Sequence, residues 1–422
     1  MISERERVNE RLASLAVVLP LALAGFVVAA GCWTLFAVAG VHLRLELGLS
    51  DLQFGLLLAM PMAVSAALAI PSGLAAQKFG ARRVMLGCLG GLAACMLILL
   101  TTDTFSGYLL AAGGLGLAGG FYSAGLQFVT GHCESQRLGL VLGVFGAGVT
   151  GAGFNYYLVP LFHEAFSWHG VPLAYLIVLV LIIALLLLLT EPEDAEADPL
   201  AETSVRVLLQ RMRRKRAGQL CAYFGVVAGS FFALALWLPD YLSAQFGLSV
   251  DAGARLAQWF VVPGALAQMA GGYLADRFGS ARVVSRALLV CLVSLFVLSY
   301  PPMTLFIQGV DQTIQVEFAL PLPLEGLFVV LLGLALGCTM GSLQRLVIIE
   351  NRSVAAFVAG LLLVSAFSVA FVLPVIFSGV NYWLGIRSAV FMILFFLLVS
   401  CLFLFARESR RHERQSLLHP GV

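Results

Sequence analysis

The residues of this chain that could do chemistry are polar side chains that interrupt long apolar segments. Glutamine and asparagine amides and tyrosine hydroxyls donate and accept hydrogen bonds, and the tryptophan indole donates one. Such groups can bind a polar solute reversibly, although they serve equally well as hydrogen-bond partners between packed helices. The candidates for a binding site are Gln268, Asn155, Tyr156, Tyr122, Gln127 and Trp33.

A second candidate feature is a short motif that occurs twice, beginning at Gly73 and at Gly272. Its glycines allow a tight turn between two helices, and its basic residues hold that turn at the inner membrane surface. One copy could be only a turn with basic flanks, but two matched copies indicate two similar halves that can rock against each other. The gating residues that we predict from the motif are Gly73, Gln77, Lys78, Gly80 and Arg83 in the first copy, and Gly272, Asp276, Arg277, Gly279 and Arg282 in the second.

The two copies differ at one position, where Asp276 in the second matches Gln77 in the first. A carboxylate there can meet the positive amino end of a neighbouring helix, which is a contact of order 1 kcal/mol when it is partly buried. We therefore expect an asymmetric inner gate in which the latch around Asp276 is the stronger one.

Other chemistries find no support in the sequence. It contains no Cys-x-x-Cys pair, no His-Glu-x-x-His segment, no phosphate-binding loop and no nucleophile elbow. The glycine runs 116–120 and 146–153 lie inside apolar segments with no strand before them, which favours close helix packing. We predict no catalytic residue, no metal site, no cofactor and no nucleic-acid partner, and no protein partner can be named.

The elements that must position these residues are membrane-spanning helices. Hydrophobic residues make up 60% of the 422-residue chain and charged residues 11%, compared with about a quarter charged in soluble domains. Apolar runs of roughly 20 residues, the length of one helical crossing, recur along the chain. We predict an all-α membrane protein with twelve spans at 14–41, 52–76, 84–101, 105–130, 138–163, 170–190, 219–243, 253–275, 284–307, 324–349, 354–379 and 383–405.

The distribution of charged residues along the chain predicts its orientation in the membrane and its division into domains. With the amino terminus inside, 22 of the 25 Lys and Arg residues fall on the inner side, so both termini are predicted to be cytoplasmic in a multi-pass inner membrane protein. A polar stretch separates spans six and seven. The predicted domains are a six-helix bundle at 1–190, a cytoplasmic linker at 191–218, a second six-helix bundle at 219–405 and a cytoplasmic tail at 406–422.

The positions of the carboxylates and cysteines allow predictions about proton coupling and about disulfide bonds. The acidic residues on the outer side, Glu325 among them, fall at span ends or in loops. A buried carboxylate relay for proton coupling is therefore not visible, and exchange or facilitated movement is favoured. Seven of the eight cysteines lie in spans and Cys133 lies in an inner loop, so we expect no structural disulfide.

At the repeated motif the sequence resembles the major facilitator superfamily over essentially all twelve spans. The stretches 33–50 and 53–57, with the glycine runs of spans four and five, look like its nitrate/nitrite porter group. That resemblance implies two pseudo-symmetric six-helix bundles around a central anion site gripped by one arginine in span two and one in span eight. The matching positions here are Ala69 and Gln268, which lack the charge and the planar fork of arginine.

The resemblance implies a secondary-active transporter that works by alternating access within the lipid bilayer. It would move a small polar solute, by resemblance an inorganic anion such as nitrate or nitrite. The missing arginines leave two alternatives open. One is a transporter of a different neutral or cationic solute, metals included, and the other is a non-transporting sensor or assembly factor on the same fold.

Overall fold

The computed structural model describes residues 4–133, 135–191, 214–301, 303–308 and 313–418. Eleven helical segments among these residues are long and apolar enough to cross a membrane, and each matches a predicted span. The helices are α1 (Glu4–Leu47), α2 (Asp51–Phe79), α3 (Ala81–Thr101), α4 (Phe105–Leu115), α5 (Leu117–Gly131), α6 (Leu138–Gly146), α7 (Thr150–Leu189), α8 (Arg214–Phe246), α9 (Val250–Phe278), α10 (Ser280–Leu298), α11 (Leu322–Glu350), α12 (Ala355–Leu384) and α13 (Ala389–Leu418).

The remaining predicted span, span eight, corresponds to α9. With 29 residues it is about 44 Å long, which is enough to cross a bilayer, but it is less apolar than the other spans. Gln258 and Gln268 lie on this helix, and Gln268 is almost completely buried. Because a helix enclosed by other helices does not face lipid on every side, it can carry polar residues that a lipid-exposed helix cannot.

The boundary predicted for span nine was wrong. That span was expected to run to residue 307, but α10 ends at Leu298 and a β-hairpin follows, with β1 (Met303–Gln308) paired antiparallel to β2 (Thr313–Phe318). The adjacent prolines at 301 and 302 cannot continue a helical hydrogen-bond ladder. The apolar residues beyond them extended the hydrophobic run in the sequence without belonging to the helix.

Spans five and six form a hairpin, and the chain reverses within α7. Residues 150–189 nevertheless all have helical backbone geometry. The hydroxyl of Tyr175 donates a hydrogen bond to Oδ1 of Asn155. Twenty residues of straight helix would separate these two positions by about 30 Å. The chain therefore reverses direction between them, and α6 with the start of α7 forms span five while the end of α7 forms span six.

The two copies of the motif adopt the same backbone turn. Gly80, between α2 and α3, has φ 88° and ψ 140°, and Gly279, between α9 and α10, has φ 87° and ψ 134°. A positive φ of this size favours glycine, so both turns depend on it. We call helices α1–α7 the first half and helices α8–α13 the second half. The helix pairs at the interface between these halves also match, since α2 packs against α12 and α6 packs against α9. We call the side of the bundle that carries both glycine turns the motif side.

The predicted linker and tail are partly covered by the structure. Residues 192–213 lie outside the described residues, whereas Arg214 already begins α8. At the other end, α13 continues to Leu418, so most of the predicted tail extends the last helix. The eight cysteines all lie among the described residues, and no disulfide joins any two of them.

Arg82 anchors α3 to the end of α7 on the motif side. This arginine is 8% exposed and donates from Nε to the Thr190 hydroxyl at 2.8 Å. Its Nη2 donates to the carbonyls of Leu186 at 3.3 Å and Leu187 at 3.1 Å. A cation at a helix carboxyl end also stabilises the helix dipole.

Arg82→Gln is therefore expected to lower the free energy of unfolding by about 2–3 kcal/mol, because hydrogen bonds from a charged group contribute about 1.5–3 kcal/mol each and glutamine can restore one of them. The measurement is thermal unfolding of the purified protein. Arg83→Gln is the matched control, because the neighbouring Arg83 is exposed and makes one long contact of 3.5 Å to the Phe79 carbonyl. Equal destabilisation by the two variants would contradict the anchoring role.

Candidate substrate site between the two halves

Gln268 lies where α9 is enclosed between α6 and α11. The side chain is 2% exposed, and glycines on both neighbours allow this close approach. A methyl group added at Gly143 of α6 or at Gly341 of α11 would clash with the backbone carbonyl of Gln268. Within the glycine run of span five, Gly148 and Gly151 likewise allow close approach to Phe26 and Val27 of α1, as the apolar setting of the run predicted.

Gln344 on α11 reaches across the interface between halves to Tyr122 on α5. Its Nε2 donates to the Tyr122 hydroxyl at 2.9 Å. Gly146 lies beside both glutamines, since a Cβ placed there would be 2.5 Å from Oε1 of Gln268 and 3.3 Å from Oε1 of Gln344. We call Gln268, Gln344 and Tyr122 the central cluster.

The central cluster contains unused hydrogen-bonding capacity. Nε2 of Gln268 and Oε1 of Gln344 are buried and have no hydrogen-bond partner among the described residues. Buried polar atoms in native structures are nearly always paired, and each exception calls for an explanation. One free donor and one free acceptor at the interface between halves can together hold a small polar ligand.

Aromatic rings surround the central cluster. In the first half, the Tyr122 ring packs against Phe26 with centroids 5.0 Å apart and against Phe145 at 5.5 Å. Trp33 joins this group through Phe26, and its indole meets Phe367 of the second half at 4.9 Å. The rings supply apolar walls that keep water away from the polar atoms, and low local polarity strengthens hydrogen bonds.

The other predicted site residues have different surroundings. Asn155 is completely buried inside the first half, where its Nδ2 donates to the carbonyl of Gly31 and to the Thr34 hydroxyl at 3.0 Å. Tyr175 donates to its Oδ1. These bonds describe a hydrogen-bond partner between helices, which was the alternative interpretation of Asn155.

The remaining predicted site residues differ in their hydrogen bonding. Tyr156 and Trp33 each donate one hydrogen bond, whereas Gln127 has an unpaired oxygen among the described residues. The Tyr156 hydroxyl donates to the carbonyl of Ala235 and so joins α7 to α8 across the interface between halves. Trp33 donates from Nε1 to the Ser65 hydroxyl at 2.7 Å within the first half. Gln127 is partly buried one and a half turns beyond Tyr122, and its Oε1 lacks a partner among the described residues.

Ala69 occupies the position at which the resemblance implies an arginine. It is completely buried where α2 meets α12, and a Cβ on Gly360 would lie 2.8 Å from its carbonyl oxygen. Close backbone packing therefore occupies this place in the first half. Among the described residues, the central cluster includes no charged side chain.

The surroundings of two further residues, Gln344 and Glu325, could not be predicted from the sequence. Gln344 was one of several polar residues within spans, and only the folded chain shows that it crosses to Tyr122. Glu325 was placed with the outer carboxylates at span ends, but α11 begins at Leu322 and its first turn packs into the second half. Glu325 is consequently 3% exposed, and its Oε1 has no partner among the described residues.

Asp276 forms the contact that the motif predicts. Its Oδ1 accepts from the backbone N–H of Gly139 at 3.1 Å and its Oδ2 accepts from that of Leu140 at 2.8 Å, at the amino end of α6. Arg345 of α11 forms an ion pair with Oδ1 at 2.5 Å. Gln77, at the matching position in the first half, is partly exposed and forms no hydrogen bond with any described residue.

The fold and the central cluster together define a membrane transporter built from two repeated halves. The family model of the Major Facilitator Superfamily matches residues 21–373, and the chain belongs to this family. It is therefore a multi-pass membrane transporter and not an enzyme.

Similar proteins of this family are known. A probable nitrate/nitrite antiporter, NarK1 of Thermus thermophilus, is 27% identical over 398 residues, which cover 90% of this chain and 88% of that protein. A nitrite extrusion protein of Bacillus subtilis (strain 168) is 28% identical over 307 residues, covering 71% of this chain and 72% of that protein.

Solved structures show the same fold. The human organic anion transporter MFSD10 superposes with a TM-score of 0.70 at 17% identity, covering 93% of this chain and 99% of that one. FucP in its outward conformation also gives a TM-score of 0.70, at 15% identity and the same coverage. At these identities the likeness concerns the fold alone.

Proposed function

We propose that this protein moves a small inorganic anion across the membrane by alternating access, with nitrate and nitrite as the first candidates. The observation that carries the proposal is the central cluster, where unpaired buried polar atoms lie between the two halves. A solute held there contacts both halves at once and can therefore follow their relative movement. The names of the similar proteins in Thermus thermophilus and Bacillus subtilis support nitrate and nitrite as candidates.

The central cluster would bind the anion without a positive charge. The amide N–H of Gln268 and the Tyr122 hydroxyl can donate to anion oxygens. Neutral donors compensate a desolvated anion less completely than arginine does, so we expect weaker binding than in a site with two arginines.

A neutral polar solute is the second candidate, and the absence of charge from the central cluster favours it. The unpaired Oε1 of Gln344 requires a donor, which nitrate and nitrite ions do not carry but an amide or a hydroxyl compound does. The two candidates differ in a measurable way, because net movement of an anion responds to the membrane potential, and exchange of one anion for another requires an anion on the opposite side, whereas facilitated movement of a neutral molecule shows neither dependence.

We further propose that the motif side faces the cytoplasm, so that both termini lie inside and the protein resides in the inner membrane. The distribution of Lys and Arg residues supports this orientation. The two six-helix bundles, 1–190 and 219–405, would be the units that rock, with the linker at 191–218 joining them.

Flux in proteoliposomes tests the proposed function. Purified protein, with folding confirmed by its thermal transition, is expected to mediate nitrate or nitrite uptake above that of protein-free vesicles. An imposed membrane potential is expected to change net uptake into empty vesicles, whereas uptake by one-for-one exchange is expected to require nitrate or nitrite inside the vesicles. Uptake of neutral solutes alone would support the second candidate. The absence of any solute flux, with no solute-induced thermal shift, would contradict a transport function and favour a sensor or assembly role.

A further inference from the structure

A groove between α9, α10 and α11 opens toward the lipid on the motif side of the second half. Its volume is about 360 Å³. Its apolar walls are formed mainly by Leu274, Phe278, Val283, Val290, Leu331 and Leu334. Along α10 the groove extends from Arg282 to Val290, eight residues apart and therefore about 12 Å. One leaflet of a bilayer is about 15 Å deep in hydrocarbon, so the groove covers most of the depth of one acyl chain.

Two arginines lie at the motif-side end of this groove. Arg282 and Arg286 are four residues apart in the first two turns of α10 and therefore share one face of the helix. Both side chains are exposed, and neither forms an ion pair with any described residue. Paired guanidinium groups match the oxygens of a phosphate, and their charge attracts an anionic headgroup.

The first half lacks this combination. Arg83 matches Arg282 in the motif, but the position that matches Arg286 is Gly87, around which the structure has open space. The second half therefore has two arginines at these positions, whereas the first half has only one. A general need for positive charge at the membrane surface would be met by Arg83 as well as by Arg282, so it does not explain Arg286.

We propose that this groove is a binding site for one anionic phospholipid, with its phosphate between Arg282 and Arg286 and an acyl chain along the apolar walls. Charge complementarity at one end and apolar depth at the other select a lipid over free phosphate. The site lies at the same level as the latch but on the opposite face of α9, because Leu274 and Phe278 each stand two residues from Asp276 along this helix. A bound lipid would hold α9 against α10 and α11 and so favour the state in which Asp276 contacts α6.

The test uses the full-length protein in detergent titrated with phosphatidylglycerol, phosphatidylcholine or inorganic phosphate, with bound lipid counted by native mass spectrometry and stability followed by thermal unfolding. Phosphatidylglycerol is expected to bind at least about tenfold more tightly than phosphatidylcholine and to raise the unfolding temperature. The double variant Arg282→Gln/Arg286→Gln is expected to lose this preference, whereas the matched control Arg83→Gln keeps it. Equal affinity for phosphatidylglycerol and phosphatidylcholine would overturn the proposal. So would a loss of the phosphatidylglycerol preference in Arg83→Gln as large as that in the double variant.

A second variant tests the groove itself without changing charge. Ala287→Trp places an indole in the groove beside the arginines and is expected to weaken phosphatidylglycerol binding by about tenfold or more. Undiminished binding would show that the acyl chain does not enter the groove, and stabilisation by inorganic phosphate alone would show a simple anion site. Either result contradicts a phospholipid site. These measurements need no transport activity, so their outcome does not depend on whether the proposed function is correct.

Discussion

Asp276→Ala is expected to shift the protein by about 30-fold toward states that are open on the motif side. The variant removes the acceptor of two backbone N–H groups of α6 and the ionic partner of Arg345. Hydrogen bonds to a charged group contribute about 1.5–3 kcal/mol each, but the Asp276 side chain is 12% exposed and partly screened, so we assign about 2 kcal/mol to the whole latch. That energy corresponds to about 30-fold in a conformational equilibrium.

Distances between spin labels on the two halves would measure this shift. Gln136 and Arg411 are exposed positions near the motif side of the first and second halves, and labels there require a background without the eight native cysteines. Asp276→Asn is expected to give a smaller shift, because the amide oxygen can still accept one of the hydrogen bonds.

Gln77→Ala is the matched control, since it changes the equivalent position of the first copy of the motif. Its expected effect is less than about twofold, because Gln77 forms no hydrogen bond with any described residue. Equal shifts in Gln77→Ala and Asp276→Ala would show that the gate is symmetric and would contradict the latch.

The second large effect is expected at Gln268. A solute that binds the folded protein raises its stability by an amount that depends on the ratio of ligand concentration to Kd, about 2.7 kcal/mol at a hundredfold excess over Kd. Gln268→Ala removes the free Nε2 donor and is expected to weaken binding at least about tenfold, which is about 1.4 kcal/mol of the stabilisation. The measurement is the shift in unfolding temperature across a panel of nitrate, nitrite and neutral polar solutes.

Gln258→Ala is the control for this experiment, because Gln258 has the same side chain on the same helix but is only partly buried, about three turns away. Gln344→Ala is expected to resemble Gln268→Ala, since the two amides flank the same glycine. A solute shift that survives both Gln268→Ala and Gln344→Ala would place the binding site elsewhere in the protein.

Part of the candidate site could be predicted from the sequence. The resemblance to the nitrate/nitrite porter group pointed to Gln268, which stands where that group carries its span-eight arginine, and the structure places this residue beside Gly146 and Gln344 in the central cluster. The motif likewise predicted the contact between Asp276 and a helix amino end, although the partner helix, α6, is 136 residues away along the chain and could not be identified from local pattern.

Other residues show why local pattern was insufficient. Asn155 and Gln344 are both buried polar residues within spans, and nothing in their neighbouring sequence distinguishes them. The first satisfies its amide within its own half, whereas the second crosses to Tyr122 and leaves an oxygen free. Which partners a side chain meets depends on helix rotation and packing, and sequence periodicity does not report them.

The sequence by itself determined that the chain is a helical membrane protein with two related halves and glycine turns on one side. It could do so because bilayer thickness sets the length of an apolar segment and because only glycine readily adopts the positive φ of those turns. The tertiary structure alone decided that span nine ends before a β-hairpin, that Glu325 is buried, and that Gln268 and Gln344 lie beside each other. These features come from contacts between residues far apart in the chain, which form only when the helices are packed together.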